Sequence, residues 1–375
     1  MIQELLKHFN PIDYLELWLL LAFLIAFIVS LTSFPAIFNV AIAKELMDEP
    51  DHRSVHDRKT ATLGGVGIFI SLAVVITTIG ALLDTKILLL VLGSMTILFF
   101  LGLKDDLLIL SPRKKFIGQI MAASLLILFT DTRILGLSGV FGITILPYWL
   151  SVLFTLFVYV LIINAYNLID GVDGLAGCLA VAGFASFAYL FVKTGDVTMS
   201  TLTVGGIGAI IPFLRLNFSK RKKIFMGDTG SMIVGFLIAF CSVRFINTTE
   251  LNPKSIFFES APVLALAIAF FPLLDTLRVF IIRPVLLNKS PFSADQNHIH
   301  HRFLKLGFSH AQTTIYIVIL NLLLTAFVYH IGHLDTIYQF LLMVLVGTFL
   351  YSSLFIYNWL VMKKWIPESS KNKQV

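Results

Sequence analysis

Apolar residues run along this chain in long blocks of about 17 to 25, broken by short stretches of Gly, Pro and charge. A block of that length crosses the hydrocarbon core of a bilayer as a helix, and the polar breaks mark loops at the membrane surface. The pattern predicts about eleven spans: 17–41, 63–83, 87–103, 116–130, 148–166, 175–192, 198–216, 231–246, 260–282, 312–331 and 337–362. The first block, from Leu17 to Val40, is too long for a signal-peptide core and lacks a basic leader, so it is expected to stay as a span. The longest loops, 42–62 and 283–311, leave no room for a soluble domain. The expectation is an all-α polytopic membrane protein, one integral membrane domain over residues 1–375.

Composition agrees. Of 375 residues, 57% are hydrophobic and 13% charged, against about 25% charged in soluble domains. A net charge of +6 would suit a nucleic-acid binder, but most of the 28 Lys and Arg residues lie in one alternate set of short loops, as at Lys44, Lys104, Arg113–Lys115 and Lys220–Lys223. That is a topology signal: the basic side faces the cytoplasm. The N-terminus is then outside, the C-terminus cytoplasmic, and nucleic acid is not a partner. Cys178 and Cys241 both fall in spans, so neither a disulfide framework nor a cysteine metal site is implied.

The orientation, fixed from Lys and Arg alone, places Asp48, Asp51, His52, His56, Asp105, Asp106, Asp170, Asp173, Asp228, Asp275, Asp295, His298, His300 and His301 at or near the cytoplasmic ends, around loops 42–62, 104–115, 167–174, 217–230 and 283–311. Clustering on one face points to a site. Asp105 and Asp106 are adjacent at the end of a span; they suit a divalent cation, or one ligand and one base, although two carboxylates can also simply solvate a helix end. In N-A-Y-N-L-I-D-G-V-D-G (164–174), Asn167, Asp170 and Asp173 recur every three residues, one face of a helical turn. Capping of the next span explains Asp173 alone. The D-G pair also occurs in transferases of CDP-activated lipids, but Leu175, Ala176 and Gly177 lack the Ala-Arg that motif needs. F-M-G-D-T-G-S (225–231) predicts a helix N-terminus offering N–H groups to phosphate, with Asp228 able to hold Mg²⁺. In D-Q-N-H-I-H-H-R (295–302), the His-x-His-His spacing admits zinc, but catalytic zinc also recruits ligands from elsewhere; His and Arg better suit charge-assisted bonds to pyrophosphate oxygens.

Taken in order, these segments and the Asp48–His56 stretch with T-x-T-L-G-G after it (Thr60–Gly65) resemble the polyprenyl-phosphate N-acetylhexosamine-1-phosphate transferase family over about residues 15 to 362. H-I-H-H-R resembles the branch using UDP-N-acetylglucosamine, rather than the peptidoglycan translocase with its H-H-H-F type loop. The resemblance implies transfer of GlcNAc-1-phosphate from UDP-GlcNAc to undecaprenyl phosphate, giving UMP, in a bacterial inner membrane with the site facing the cytoplasm. The product would start a cell-surface polysaccharide such as O-antigen or another wall polymer. Another UDP-N-acetylhexosamine is the alternative donor. A secondary transporter is the rival class, disfavoured because the carboxylates sit at a rim and not at the midplane.

The same resemblance implies Mg²⁺, or Mn²⁺ in its place, on Asp228 and Asn167, with Asp170 in the same cluster and Asp105 or Asp106 acting on the lipid phosphate. It puts Asp173 and Phe225 at the uridine. His298, His300, His301 and Arg302 go to the diphosphate or sugar, and Lys115 and Gln119 to the nucleotide side. Asn164 and the polar group Arg53, His56 and Lys59 are expected at the substrate without an assigned role. A homodimer is a further implication.

Overall fold

The computed structural model describes residues 10–11, 13–44, 46–48, 60–108, 110–252, 254–286 and 298–365. Arg53, His56 and Lys59 lie outside them. The helices in chain order are α1 (Leu15–Ala43), α2 (Gly64–Thr78), α3 (Thr85–Leu108), α4 (Pro112–Thr130), α5 (Tyr148–Ile169), α6 (Leu175–Thr194) and α7 (Val197–Asn217). They continue with α8 (Gly227–Glu250), α9 (Ala261–Ile268), α10 (Phe270–Leu286), α11 (Ile299–Lys305), α12 (His310–His330) and α13 (Thr336–Trp365). One two-residue antiparallel pair, β1 (Met47–Asp48) with β2 (Thr60–Ala61), precedes α2. Helix dominates because a backbone in hydrocarbon must satisfy its own polar groups.

Among the described residues, nine helices are long and apolar enough to cross a membrane, ten with the bent pair α9–α10. The fourth expected span, 116–130, is not among these ten; it forms as α4, but Arg113, Lys114 and Lys115 make its first turn cationic. The expected continuous span 260–282 is broken instead: α9 and α10 meet at 74°. The side chain of Asn321 on α12 fills that break. Its amide donates to Ile268 O at 2.9 Å, and its carbonyl oxygen accepts from Phe271 N at 3.1 Å. Backbone groups freed by a kink at membrane depth need such partners.

α8 is the buried centre of the bundle, packed against α2, α3, α5, α6 and α9. Small residues let backbones approach it. A Cβ on Gly102 of α3 would collide with the Thr229 backbone, and one on Gly65 of α2 with that of Gly230. Hydroxyls stitch other pairs: Ser30 of α1 donates to Ala209 O of α7 at 2.7 Å, and Ser94 of α3 to Ala122 O of α4 at 2.8 Å. The consequence for function is that α2 and α3 are drawn onto the first turn of α8.

Candidate active site

The last turn of α3, the first of α4, the last of α5 and the first of α8 meet at one end of the bundle. Asp105 and Asp106 share a turn but go separate ways. Asp106 reaches α8, where its carboxylate accepts the N–H of Asp228 at 2.7 Å and of Thr229 at 3.1 Å, and the Thr229 hydroxyl at 2.6 Å. The N-cap residue Met226 supplies no side-chain cap, so Asp106 caps α8 from another helix, against its positive end. The expectation that these N–H groups receive phosphate is thereby corrected: Asp106 already occupies them. Gly227, at φ +70°, makes the approach feasible, since a Cβ there would strike Thr62 O and the Asp106 carboxylate.

Asp105 is buried, accepts Leu110 N at 2.5 Å and contacts the Lys115 ammonium. Lys115 also reaches Asp228 at 2.5 Å. The lysine therefore stands among the carboxylates, a placement that its sequence position did not disclose. On the other side of Asp228, the Asn167 amide donates to Oδ1 at 2.7 Å and to Ser231 Oγ at 3.0 Å. Asp170 follows α5 as its C-cap and receives the N–H of Gly227. Desolvation first, then the charges of Asp228, Asp106 and Asp173, push its carboxyl well above the usual carboxylate range.

Gln119 and Asn164 lie one turn deeper on α4 and α5, and each takes the other as partner: Asn164 Nδ2 donates to Gln119 Oε1 at 2.8 Å. Gln119 is buried. Both were expected at the substrate; the structure makes them an interhelical strut beneath Lys115 and Asn167.

A neighbouring group gathers around Asp173. Asp173 does not cap the next span, the alternative to a functional role: Gly174 is the N-cap of α6, without a side-chain bond. The carboxylate of Asp173 instead pairs with Lys223 at 2.7 Å and lies 3.4 Å from His310 Nδ1. Lys223 also stands over the Phe225 ring, 5.0 Å from its centroid. Lys223 belongs to a run expected only as a topology signal, and His310 carried no sequence signal. Asn217, also unforeseen, clamps the turn, accepting Gly174 N at 2.5 Å and donating to Ile224 O at 2.8 Å. The T-x-T-L-G-G segment props the same loop: Gly64 N and Gly65 N donate to Phe225 O and Met226 O, each at 2.9 Å.

The histidine segment packs onto this turn. His300 and His301 present Nε2 atoms about 3.6 Å from where a Cβ on Gly171 would stand. Desolvation, then the charges of His300 and His298, lower the His301 ring to about 3. Arg302 is exposed on α11 and takes no part in these contacts. His298 and His300 both turn their Nδ1 atoms to Asp275 of α10. Asp275 was visible only as one more acid on the basic side.

Two cavities among the described residues, about 900 and 740 Å³, open at the opposite ends of the helices, by Asp196 and by Glu250. The carboxylate rim is nonetheless where the ionisable groups converge.

Fold and site together define a multi-pass membrane protein with a carboxylate cluster at one end of its bundle. Residues 88–246 match the model of glycosyl transferase family 4. A Bacillus subtilis (strain 168) protein described as a probable undecaprenyl-phosphate N-acetylglucosaminyl 1-phosphate transferase is 30% identical over 81% of this chain and 82% of its own length. The undecaprenyl-phosphate alpha-N-acetylglucosaminyl 1-phosphate transferase of Salmonella typhi is 28% identical over 78% and 79%. The decaprenyl-phosphate N-acetylglucosaminephosphotransferase of Mycolicibacterium smegmatis is 33% identical over 72% and 71%. The chain belongs to glycosyl transferase family 4.

Proposed function

We propose that this protein transfers N-acetylglucosamine-1-phosphate from UDP-GlcNAc to undecaprenyl phosphate at the cytoplasmic face of a bacterial inner membrane. An oxygen of the lipid phosphate attacks the β-phosphorus of the nucleotide sugar. The bond from that phosphorus to the bridging oxygen breaks, and UMP leaves with the oxygen. Both reactants are anionic, so neutralising and aligning charge is the main catalytic task. The observation that carries the reading is Asp228 flanked by Asn167 and Lys115 on a first turn that Asp106 holds in place.

The donor set fits Mg²⁺, which prefers oxygen ligands, few of them from protein and the rest from substrate phosphates and water. The Lys115 ammonium between Asp105 and Asp228 marks a place that already draws a cation. Asp228 and Asn167 would hold the ion, and it would neutralise the diphosphate. Lys115 meets the charge that develops beside Asp228, while Asp105 fixes the lysine. Asp173, Lys223 and Phe225 form the polar and aromatic wall proposed for the uridine. An apolar cleft of about 350 Å³, lined by Phe157, Leu161, Leu266 and Leu273 among others, suits part of a polyprenyl tail.

Purified protein given undecaprenyl phosphate, Mg²⁺ and a panel of UDP-sugars tests the reading. UMP release with UDP-GlcNAc is the expected result; release only with another donor overturns the substrate, and uptake in vesicles without UMP release overturns the class. Labelling of single cysteines in the 104–115 loop from one side of the membrane checks the cytoplasmic orientation, and cross-linking checks the homodimer.

A further inference from the structure

Asp275 sits in the interior of α10, with no exposed surface, and three donors converge on its carboxylate. Ile299 N donates to Oδ1 at 2.5 Å. His300 Nδ1 lies 2.7 Å and His298 Nδ1 3.2 Å from Oδ2. An ionised carboxylate only accepts, so the imidazole nitrogens facing it carry hydrogens. The same three side chains group closely enough for metal ligation. Ligands on one tetrahedral zinc, at about 2.0–2.1 Å from the ion, stand roughly 3.3 Å apart; the 2.7 Å contact is that of a hydrogen bond.

With Nδ1 committed to Asp275, the reactive edge of His300 is Nε2. That atom is buried and finds no hydrogen-bond partner among the described residues. It faces Gly171, about 3.6 Å from where a Cβ would stand, next to Asp170. Leaving a buried polar atom without a partner is costly, and a ligand oxygen at the Asp170–Gly174 turn would remove that cost. A Cβ at residue 171 would crowd the same space.

We propose that Asp275 is a positioning residue: its carboxylate holds the ring of His300 as an imidazolium, Nδ1–H toward Oδ2, so that Nε2–H donates to an oxygen of the substrate diphosphate above the Asp170–Gly174 turn. Asp275 acts through His300 and does not itself touch substrate; His298, the second imidazole on the same carboxylate, braces the pair. This rests on the proposed transferase reaction and deepens it by separating the histidine that works at the turn from the acid that aims it.

Three variants test it in detergent with UDP-GlcNAc, undecaprenyl phosphate and Mg²⁺. An Asn amide can imitate Nδ1 but does not reach the Nε2 position, so His300→Asn keeps the bond to Asp275 and removes the proposed contact. It should lower kcat about 100-fold or more with KM for UDP-GlcNAc within about threefold. His300→Gln, whose amide reaches the Nε2 position, should recover part of that loss. Asp275→Asn should lower kcat likewise, yet cost less than about twofold more in the His300→Asn background, because the two act as one unit. Turnover by His300→Asn within about threefold of wild type overturns the proposal, as does full additivity in the double variant. If Asp275→Asn does not fold, the His300→Asn and His300→Gln pair decides alone. A wild-type protein inactive on UDP-GlcNAc would instead refute the substrate reading, so the two failures are told apart.

Discussion

Asp106 on α3 accepts the backbone N–H of Asp228 on α8 at 2.7 Å, across 122 positions of chain. A carboxylate usually credited with chemistry thus also holds the helix end that presents another carboxylate. Asp106→Ala leaves the N–H groups of Asp228 and Thr229 without their acceptor, at about 1–3 kcal/mol each. The variant should melt several degrees lower in detergent and lose turnover, while Asp106→Asn, which keeps one acceptor oxygen, should be milder on both counts. Equal melting of Asp106→Ala and wild type would remove the cap from the account.

Asp228→Ala keeps the backbone N–H that Asp106 binds, so the fold should survive. Turnover should fall about 1,000-fold or more, the range for losing a principal charge-stabilising group in phosphoryl transfer. A rise of melting temperature with added Mg²⁺, expected of wild type because a ligand bound to the native state stabilises it, should vanish. Substantial UMP release by this variant would take Asp228 out of the metal site.

Gln119 and Asn164 satisfy each other inside the bundle. Gln119→Ala should therefore cost about 1–3 kcal/mol of stability and leave KM for UDP-GlcNAc unchanged in the folded fraction. A several-fold rise in KM at unchanged melting temperature would return Gln119 to the substrate.

His301 carries the pH dependence. Its ring titrates near about 3 in the folded protein and from 6.5 in the reference state, because burial and the neighbouring imidazoles disfavour the charge. Below pH 6.5 the unfolded chain takes up a proton that the folded protein refuses until about 3. The ring's contribution is thus full above pH 6.5 and shrinks as pH falls through that window. His301→Gln cannot take that proton, so its melting temperature should decline less steeply between pH 6.5 and 4; parallel slopes would contradict the assignment. His301→Ala should also depress turnover, since the ring stands at the Gly171 turn.

Much of this was legible in the chain because hydrocarbon imposes simple rules. Helix existence followed from apolar blocks, and the one-sided carboxylates of α3, α5 and α8 followed from counting Lys and Arg. What stayed hidden depends on direction, which spacing does not encode. Asp105 and Asp106 are neighbours in sequence and diverge in space. Lys115 looked like a nucleotide contact until its ammonium proved to sit between two acids. Asn217 and His310 act through contacts with residues 43 and 137 positions away, for which no local pattern exists. The break between α9 and α10 falls in an apolar stretch without glycine, and its one sequence signal is Pro272, which has no N–H to offer Ile268 O.

That break has a consequence of its own. Asn321 already answers the amide and carbonyl that the kink exposes, so straightening the segment would forfeit two bonds and recover little. The corner turns the start of α10 toward α11, and the direction of that turn is what lets one carboxylate, Asp275, serve both His298 and His300.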